Sequence, residues 1–251
     1  MIAHKVREGL ACKGIWLNLP SEYSARWLSR FDLDFITIDS EHAAVDPNTL
    51  YRMISSILCS GRVSPLVRIA GANEPEIKRA LDAGAHGIIV PMVNTVDQAM
   101  DIVRWSRYPP LGSRSFGNAM AGLAFGQTMK EYLLTANDQT LLAIQIEHQD
   151  ALAQLDDIFS VNGIDLAFVG PSDLSLSLGL EPAPENAHPL FLDALDKIKN
   201  AATRHKIPLG IYCSGPEAAK KRLEGGFSFV VLGSDMQLLD QAMNTMLKKF
   251  I

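Results

Sequence analysis

Short, nearly all-apolar runs recur along this chain, and between most of them lie stretches whose apolar residues are spaced three and four apart. The first pattern is that of strands covered on both faces, the second that of amphipathic helices packed beside them. Strands are expected near Gly14–Leu19, Phe35–Asp39, Pro65–Ile69, Gly87–Met92, Leu141–Glu147, Ile164–Val169, Leu209–Cys213 and Phe227–Leu232. Helices are expected over Ser21–Arg30, Pro47–Ser60, Glu74–Ala83, Thr95–Arg107, Gln149–Ser160, Pro189–His205, Pro216–Glu224 and Met236–Lys249. Asp46 before Pro47, Asn73 before Glu74-Pro75, and Ser214-Gly215-Pro216 place a capping side chain or an early proline where a helix has unpaired amides. Gly61, Gly84 and Gly225 stand where helices should stop. Eight such alternations predict an α/β protein folded as a closed (β/α)8 TIM barrel, with an open doubly wound sheet as the alternative that periodicity leaves standing. Residues 108–140 break the rhythm, being too long for a simple connection, and long loops in compact domains tend to be functional. No linker or composition shift divides residues 1–251, which read as a single domain.

Charge and composition narrow the partner. Twenty-three Lys and Arg against 28 Asp and Glu give a net charge of −5, which offers no electrostatic reason to expect nucleic acid or an anionic membrane. A small-molecule substrate fits better. Three widely spaced cysteines, Cys12, Cys59 and Cys213, form no Cys-x-x-Cys pair and suit a reducing compartment. The charged amino terminus lacks the apolar core of a signal peptide, and no later run approaches the roughly 18 apolar residues of a membrane helix. A cytoplasmic location is the expectation.

In a barrel, catalytic groups gather at the carboxyl ends of the strands, and the polar residues of this chain fall there. The second strand ends in Ile38-Asp39-Ser40-Glu41-His42, the third carries Arg68, the fifth ends in Gln145-Ile146-Glu147-His148, and the sixth runs into Gly170-Pro171-Ser172-Asp173. Gln145 and Glu147, two apart in a strand, point to the same side, and His148 points elsewhere. Glu147 and Asp173 on adjacent strands would make an open, oxygen-rich site suited to a hard divalent cation such as Mg²⁺ or Mn²⁺; either acid alone could equally cap a turn or pair with a surface base. Arg68 in an apolar strand must find anionic partners: a substrate carboxylate or enolate oxygen, or a permanent ion pair with Asp39 or Glu41. His42 follows two acids, a setting for a general base acting directly or through water, or for a hydrogen-bonded loop residue. No lysine falls at an expected strand end, which argues against a Schiff-base mechanism. Gly233-Ser234-Asp235 opens the last helix and could offer amides to an anion, though capping suits it better because Asp235 would repel a phosphate.

These residues, with Gly14-Ile15-Trp16-Leu17, Pro65-Leu66-Val67-Arg68, Val90-Pro91-Met92-Val93, Arg107-Tyr108-Pro109-Pro110-Leu111-Gly112 and Val169-Gly170-Pro171-Ser172-Asp173-Leu174, resemble the HpcH/HpaI-type metal-dependent (class II) pyruvate aldolases over most of the chain. The resemblance implies a barrel assembled as a homo-oligomer, commonly a hexamer with a dimer or trimer also conceivable, its last helix exchanged between subunits. It implies cleavage of a 4-hydroxy-2-oxo acid to pyruvate and an aldehyde, with oxaloacetate decarboxylation as a side activity. By the same pattern Glu147 and Asp173 hold the ion, with Co²⁺ or Zn²⁺ as further candidates. Trp16, Gln145, Gly170, Ser172 and Asp173 contact substrate, His42 is the base, Arg68 stabilises developing charge, and Asp82 strengthens the histidine. Asp82, however, reads as the end of a helix, at the wrong end of the barrel. The chain departs from the family pattern at Arg114-Ser115 and Gly122 in the long connection, and at Ser40, where glycine is frequent. The alternatives are a related enolate-using lyase or synthase, such as a citramalyl- or malyl-thioester lyase, and a catalytically silent metabolite-binding barrel.

Overall fold

The computed structural model describes residues 1–117 and 119–250; Asn118, inside the long connection, and Ile251, at the end of the expected domain, lie outside the described residues. Eight parallel strands close into a barrel in chain order: β1 (Cys12–Leu17), β2 (Phe35–Asp39), β3 (Ser64–Arg68), β4 (Gly87–Val90), β5 (Leu141–Ile146), β6 (Leu166–Val169), β7 (Leu209–Tyr212) and β8 (Phe229–Ser234). β8 pairs back onto β1, with a register shift between Gly14 and Trp16. The expectation of a closed barrel holds, and the open sheet is excluded.

The barrel interior is filled by side chains of unequal size. Phe35 and Phe229 stack with ring centroids 3.9 Å apart, and Gly14 makes room for them, since a Cβ at that position would lie 2.3 Å from the Phe35 ring. Close packing of this kind leaves a filled core rather than a pore. The amino end is closed by α1 (Ile2–Arg7), whose Ile2, Ala3 and Val6 join the same buried cluster. Beneath it, Asp165 accepts from Arg7 Nε and Arg107 Nη2, each at 2.7 Å, and from the Leu142 amide. A second, larger apolar layer lies between the strands and the outer helices.

Those helices include α2 (Glu22–Leu28), α3 (Pro47–Leu58), α4 (Glu74–Asp82), α5 (Val96–Ser106), α11 (Pro189–His205), α12 (Pro216–Glu224) and α13 (Asp235–Phe250). Asp46 and Asn73 cap as expected, the first accepting from Asn48 N and Thr49 N and the second from Glu76 N. The start of α12 is different: Gly215 is its N-cap and no side chain caps it. At its far end the left-handed residue is Gly226 (φ 95°) rather than Gly225.

Three regions depart from the sequence reading. The expected helix over Gln149–Ser160 is two short ones, α8 (Gln149–Leu152) and α9 (Leu155–Phe159). The connection 108–140 contains α6 (Met120–Ala124) and α7 (Met129–Gln139), the latter opened by a reciprocal capping box between Thr128 and Glu131. The turn after β6 is helical, α10 (Pro171–Ser177), with Pro171 in its first turn.

Candidate active site

Where the carboxyl ends of the strands converge, a cavity of about 210 Å³ is framed by Trp16, Asn18, His42, Arg68, Gln145, Phe168, Tyr212 and the Gly170–Asp173 turn. That volume is below the roughly 300–1,000 Å³ of sites for drug-sized ligands, so it suits a small acid. No lysine lines it.

One wall of the site is an arginine clamp. Asp39, the last residue of β2, is fully buried. It accepts from Arg68 Nε at 3.1 Å and Nη2 at 2.7 Å, and from Asn18 Nδ2 at 2.9 Å. Its Oδ1 also takes the backbone amides of Glu41 and His42. Burial works against ionisation of Asp39, but the Arg68 guanidinium and these amides outweigh it and hold the carboxyl below its usual range. Arg68 Nη1 lies 3.2 Å from Glu41 Oε2, and its Cζ sits 5.1 Å over the Trp16 ring. The ion-pair reading of Arg68 is therefore realised with both acids named for it. A guanidinium has five N–H groups, and at least two remain for a ligand in the cavity that Arg68 lines.

Across the cavity the charge is not balanced. Glu147, 2% exposed, accepts from the Met92 amide at 2.8 Å through Oε1 and from Gln145 Nε2 through Oε2. Met92 adopts a left-handed backbone (φ 54°) in making that contact, an uncommon conformation for a residue with a side chain. Burial, with the charge of Asp173 and Glu41 added, pushes the Glu147 carboxyl up to about 7, despite the two donors. Glu41 is also raised, first by burial, with Asp39 and Asp173 adding to it against Arg68 and His42. Acids in this state favour an added positive charge.

The donor set fits a hard cation. Asp39 and Glu41 are engaged with Arg68, which leaves Glu147 and the exposed Asp173. Gly170 keeps the approach to Glu147 clear, because a Cβ there would lie 2.4 Å from Oε2 and 2.8 Å from Gln145 Nε2. Gln145 Oε1 is buried without a partner. Among the described residues no group of three or more His, Cys, Asp or Glu could hold a metal ion, so a cation on this pair would need oxygens from substrate and water.

Trp16, His42, Arg68, Gln145, Gly170, Ser172 and Asp173 are thus brought around one cavity, and Glu147 reaches its edge through Gln145. The His42 side chain is 62% exposed, and its Nε2 is 3.7 Å from Glu41 Oε2. Asp82 stands apart from this cavity. It ends α4 and accepts from Arg114 Nη2 at 2.8 Å. A helix following a strand runs back towards the amino end of the barrel, so Asp82 lies at the opposite mouth from His42 and does not strengthen it within one chain. Arg114, buried, also donates to Tyr132 Oη at 3.1 Å. Gly233-Ser234-Asp235 is a cap: Ser234 Oγ accepts from Gln237 N, and Asp235 takes the Asn18 and Leu19 amides. Sequence reasoning missed Asn18, Phe168, Tyr212 and the Met92 amide as parts of the site. Tyr212 and Asn18 each end or follow a strand, and that position was their only signal.

A profile of the family described as HpcH/HpaI aldolase/citrate lyase matches residues 13–242. The chain is 36% identical over 238 residues to a 4-hydroxy-2-oxo-heptane-1,7-dioate aldolase of Escherichia coli, covering 94% of this chain and 89% of that one. It is 37% identical to a 2-keto-3-deoxy-L-rhamnonate aldolase of Klebsiella pneumoniae, with coverage of 94% and 88%. Its fold superposes on the crystal structure of an aldolase/citrate lyase family protein from Burkholderia cenocepacia with a TM-score of 0.91 and 28% identity, covering 99% and 98% of the two chains.

Proposed function

The chain belongs to the HpcH/HpaI aldolase/citrate lyase family, and from that premise we propose that it is a carbon–carbon lyase cleaving a 4-hydroxy-2-oxo acid reversibly into pyruvate and an aldehyde. The observation that carries this reading is one small cavity lined by a clamped guanidinium, Arg68, by Asp173 and by Gln145, which holds behind it a buried acid, Glu147, pushed up to about 7. Glu147 and Asp173 are the groups to hold a divalent cation, Mg²⁺ or Mn²⁺, with Co²⁺ and Zn²⁺ as further candidates. When bound, such an ion polarises the 2-keto group and lowers the cost of placing negative charge on it.

The remaining steps belong to the chain's own side chains. Arg68, its plane fixed by Asp39 and Glu41 and its face on Trp16, presents free N–H groups to the 2-oxo acid and to the oxygen on which charge develops. Gln145 holds Glu147 with its amide nitrogen and keeps Oε1 free to accept. Gly170 leaves space at that wall, and the Ser172 amide in the first turn of α10 meets the substrate carboxylate. His42, at the solvent rim, takes the 4-hydroxyl proton directly or through water. The C3–C4 bond breaks, its electrons pass to the pyruvate enolate, and the aldehyde leaves; a proton returned to C3 gives pyruvate. Oxaloacetate losing carbon dioxide yields the same enolate, so slow decarboxylation is part of the proposal. A cavity of about 210 Å³ favours free acids over coenzyme A thioesters.

The same proposal takes the protein as a cytoplasmic homo-oligomer, a hexamer in the family's manner with its last helix exchanged. The three cysteines are free, as expected in a reducing compartment, and no helix among the described residues is long and apolar enough to cross a membrane. On α13, Leu239, Met243, Met246 and Phe250 are exposed, and a groove lined by Tyr23, Trp27, Leu238 and Leu239 runs beside them. Apolar patches of this kind mark protein contacts, and light scattering on the purified chain checks the copy number.

The test of the reaction is a panel of 4-hydroxy-2-oxo acids assayed for released pyruvate, before and after EDTA. Pyruvate release that EDTA abolishes and Mn²⁺ or Mg²⁺ restores is expected. A full rate in EDTA-treated enzyme contradicts the role of the cation, and no cleavage of any member contradicts the aldolase reading.

A further inference from the structure

Asp235 lies far from Arg68 in sequence, yet an unbroken set of hydrogen bonds joins them. It is the first residue of α13 and is 4% exposed. Its Oδ1 accepts from Asn18 N at 2.9 Å, and its Oδ2 accepts from Leu19 N at 3.3 Å and Ser24 Oγ at 3.0 Å. It therefore fixes the backbone of the turn leaving β1 against both α2 and α13. From that turn the Asn18 carboxamide donates to Asp39 Oδ2 at 2.9 Å, the oxygen that also accepts Arg68 Nη2 at 2.7 Å.

We propose that Asn18 and Asp235 are positioning residues for Arg68: the start of the last helix sets the turn, the turn aims the Asn18 amide, and that amide fixes the Asp39 carboxylate that orients the guanidinium. The inference rests on the aldolase reading for the task Arg68 performs, but the geometry stands without it. Asp39 is saturated by five donors drawn from the turns after β1 and β2 and from the end of β3: two N–H groups of Arg68, the Asn18 amide, and the backbone of Glu41 and His42. Four of the five are supplied by strand ends, by the turn after β2 or by Arg68 itself. Only Asn18 stands on a segment held from the last helix. Removing its donor leaves Asp39 Oδ2 with Arg68 Nη2 alone, so the carboxylate and the guanidinium it orients lose their brace from the β1 turn and can shift together. A misplacement of about 1 Å in such a group costs on the order of a hundredfold in rate.

Two substitutions separate donor from shape. Asn18→Ala deletes the amide; Asn18→Asp keeps the outline and sets an acceptor against the Asp39 carboxylate. The expected result is a fall in kcat of about tenfold for Asn18→Ala and more for Asn18→Asp, with KM for the oxo acid within about twofold, the pattern of an interaction realised in the transition state. Asp235→Asn, which does not alter the cavity wall, should fall in the same direction by about threefold to tenfold, within that same tenfold bound. In an Arg68→Ala background all three should change the residual rate by less than about twofold, because coupled residues are non-additive. Independent, multiplying effects, or Asn18→Asp at the wild-type rate, would overturn the proposal.

Solvent exchange of the Arg68 Nε–H, assigned in NMR spectra by its loss in Arg68→Lys, gives a readout free of turnover. Faster exchange in the Asn18 and Asp235 variants is expected, and unchanged exchange in all of them overturns the linkage. If the wild type cleaves no oxo acid, the aldolase reading fails while this exchange measurement still decides the linkage. Ser24→Ala, which removes only one outer donor to Asp235, covers the case in which Asp235→Asn does not fold; accelerated exchange is expected there also, to a smaller extent, and exchange at the wild-type rate counts against Asp235 as the anchor.

Discussion

The two ends of this barrel each carry an arginine–aspartate cluster, and only one of them is fit for chemistry. At the amino end, both oxygens of Asp165 are taken by Arg7, Arg107 and the Leu142 amide. The spare donors of Arg107 end on the Asn137, Thr140 and Gly163 carbonyls. Both arginines end on protein acceptors, and Ile2, Ala3 and Val6 of α1 close the barrel at this end. At the carboxyl end Arg68 faces Asp39, Glu41, Glu147 and Asp173, N–H groups remain free, and the cluster opens on a cavity. A buried ion pair by itself is weak evidence for function. Unbalanced charge beside an accessible volume is what distinguishes a site.

The comparison breaks or sharpens through substitutions placed at each end. Glu147→Gln should lower kcat/KM by about three orders of magnitude, ~4 kcal/mol of transition-state stabilisation, in steady-state pyruvate release. Arg107→Ala is the counterpart at the amino end: it should cost about 3 kcal/mol of stability by taking one of the two guanidinium partners from buried Asp165 and the donor from the Asn137, Thr140 and Gly163 carbonyls. Chemical denaturation measures that loss, and kcat of the folded enzyme should stay within about twofold, as for distant independent sites. A large kcat effect from Arg107→Ala would erase the distinction between the two ends. His42→Ala should lower cleavage by about a hundredfold, with decarboxylation of oxaloacetate, which needs no 4-hydroxyl proton removed, falling less.

A last effect, spread over a range of conditions, is one of pH. In the cation-free protein, folded Glu147 keeps its proton up to about 7, whereas the unfolded chain releases it near 4.5. The folded state then binds more protons than the unfolded one, so stability falls as pH rises through that window and levels off above it. Glu147→Gln should flatten most of that slope, leaving the part owed to Glu41, and saturating Mn²⁺ should flatten it likewise in the wild type, both read from denaturation midpoints at a series of pH values.

Much of this was legible in the sequence because it depends on local chemistry. Alternation of apolar runs gave the barrel, and α11 and α12 span the residues expected of them, α12 opening at Gly215-Pro216 and closing at Gly225. The same-side placement of Gln145 and Glu147 follows from strand geometry alone. What was not legible depends on closure. Reading β1 as Gly14–Leu19 buries Asn18 inside the strand, whereas the register set by β2 and β8 starts it at Cys12 and leaves Asn18 at the mouth. Likewise β8 runs to Ser234, two residues past its expected end, and brings Asp235 under the β1 turn. The capping box at Thr128 and Glu131 was visible in the sequence and marks α7 inside the segment read as a loop. Asp82, which only the family resemblance singled out, ends α4 beside Arg114, away from the His42 of its own chain.

Titration of the cation-free enzyme with Mn²⁺ at pH 6 and pH 8, followed by calorimetry in buffers of different ionisation enthalpy, addresses the carboxylate pair itself. One ion per chain is expected, with close to a proton released from Glu147 at pH 6 and little at pH 8, and with binding lost in the Glu147→Gln, Asp173→Asn double variant. Undiminished Mn²⁺ affinity in that variant, at both pH values, would contradict the account.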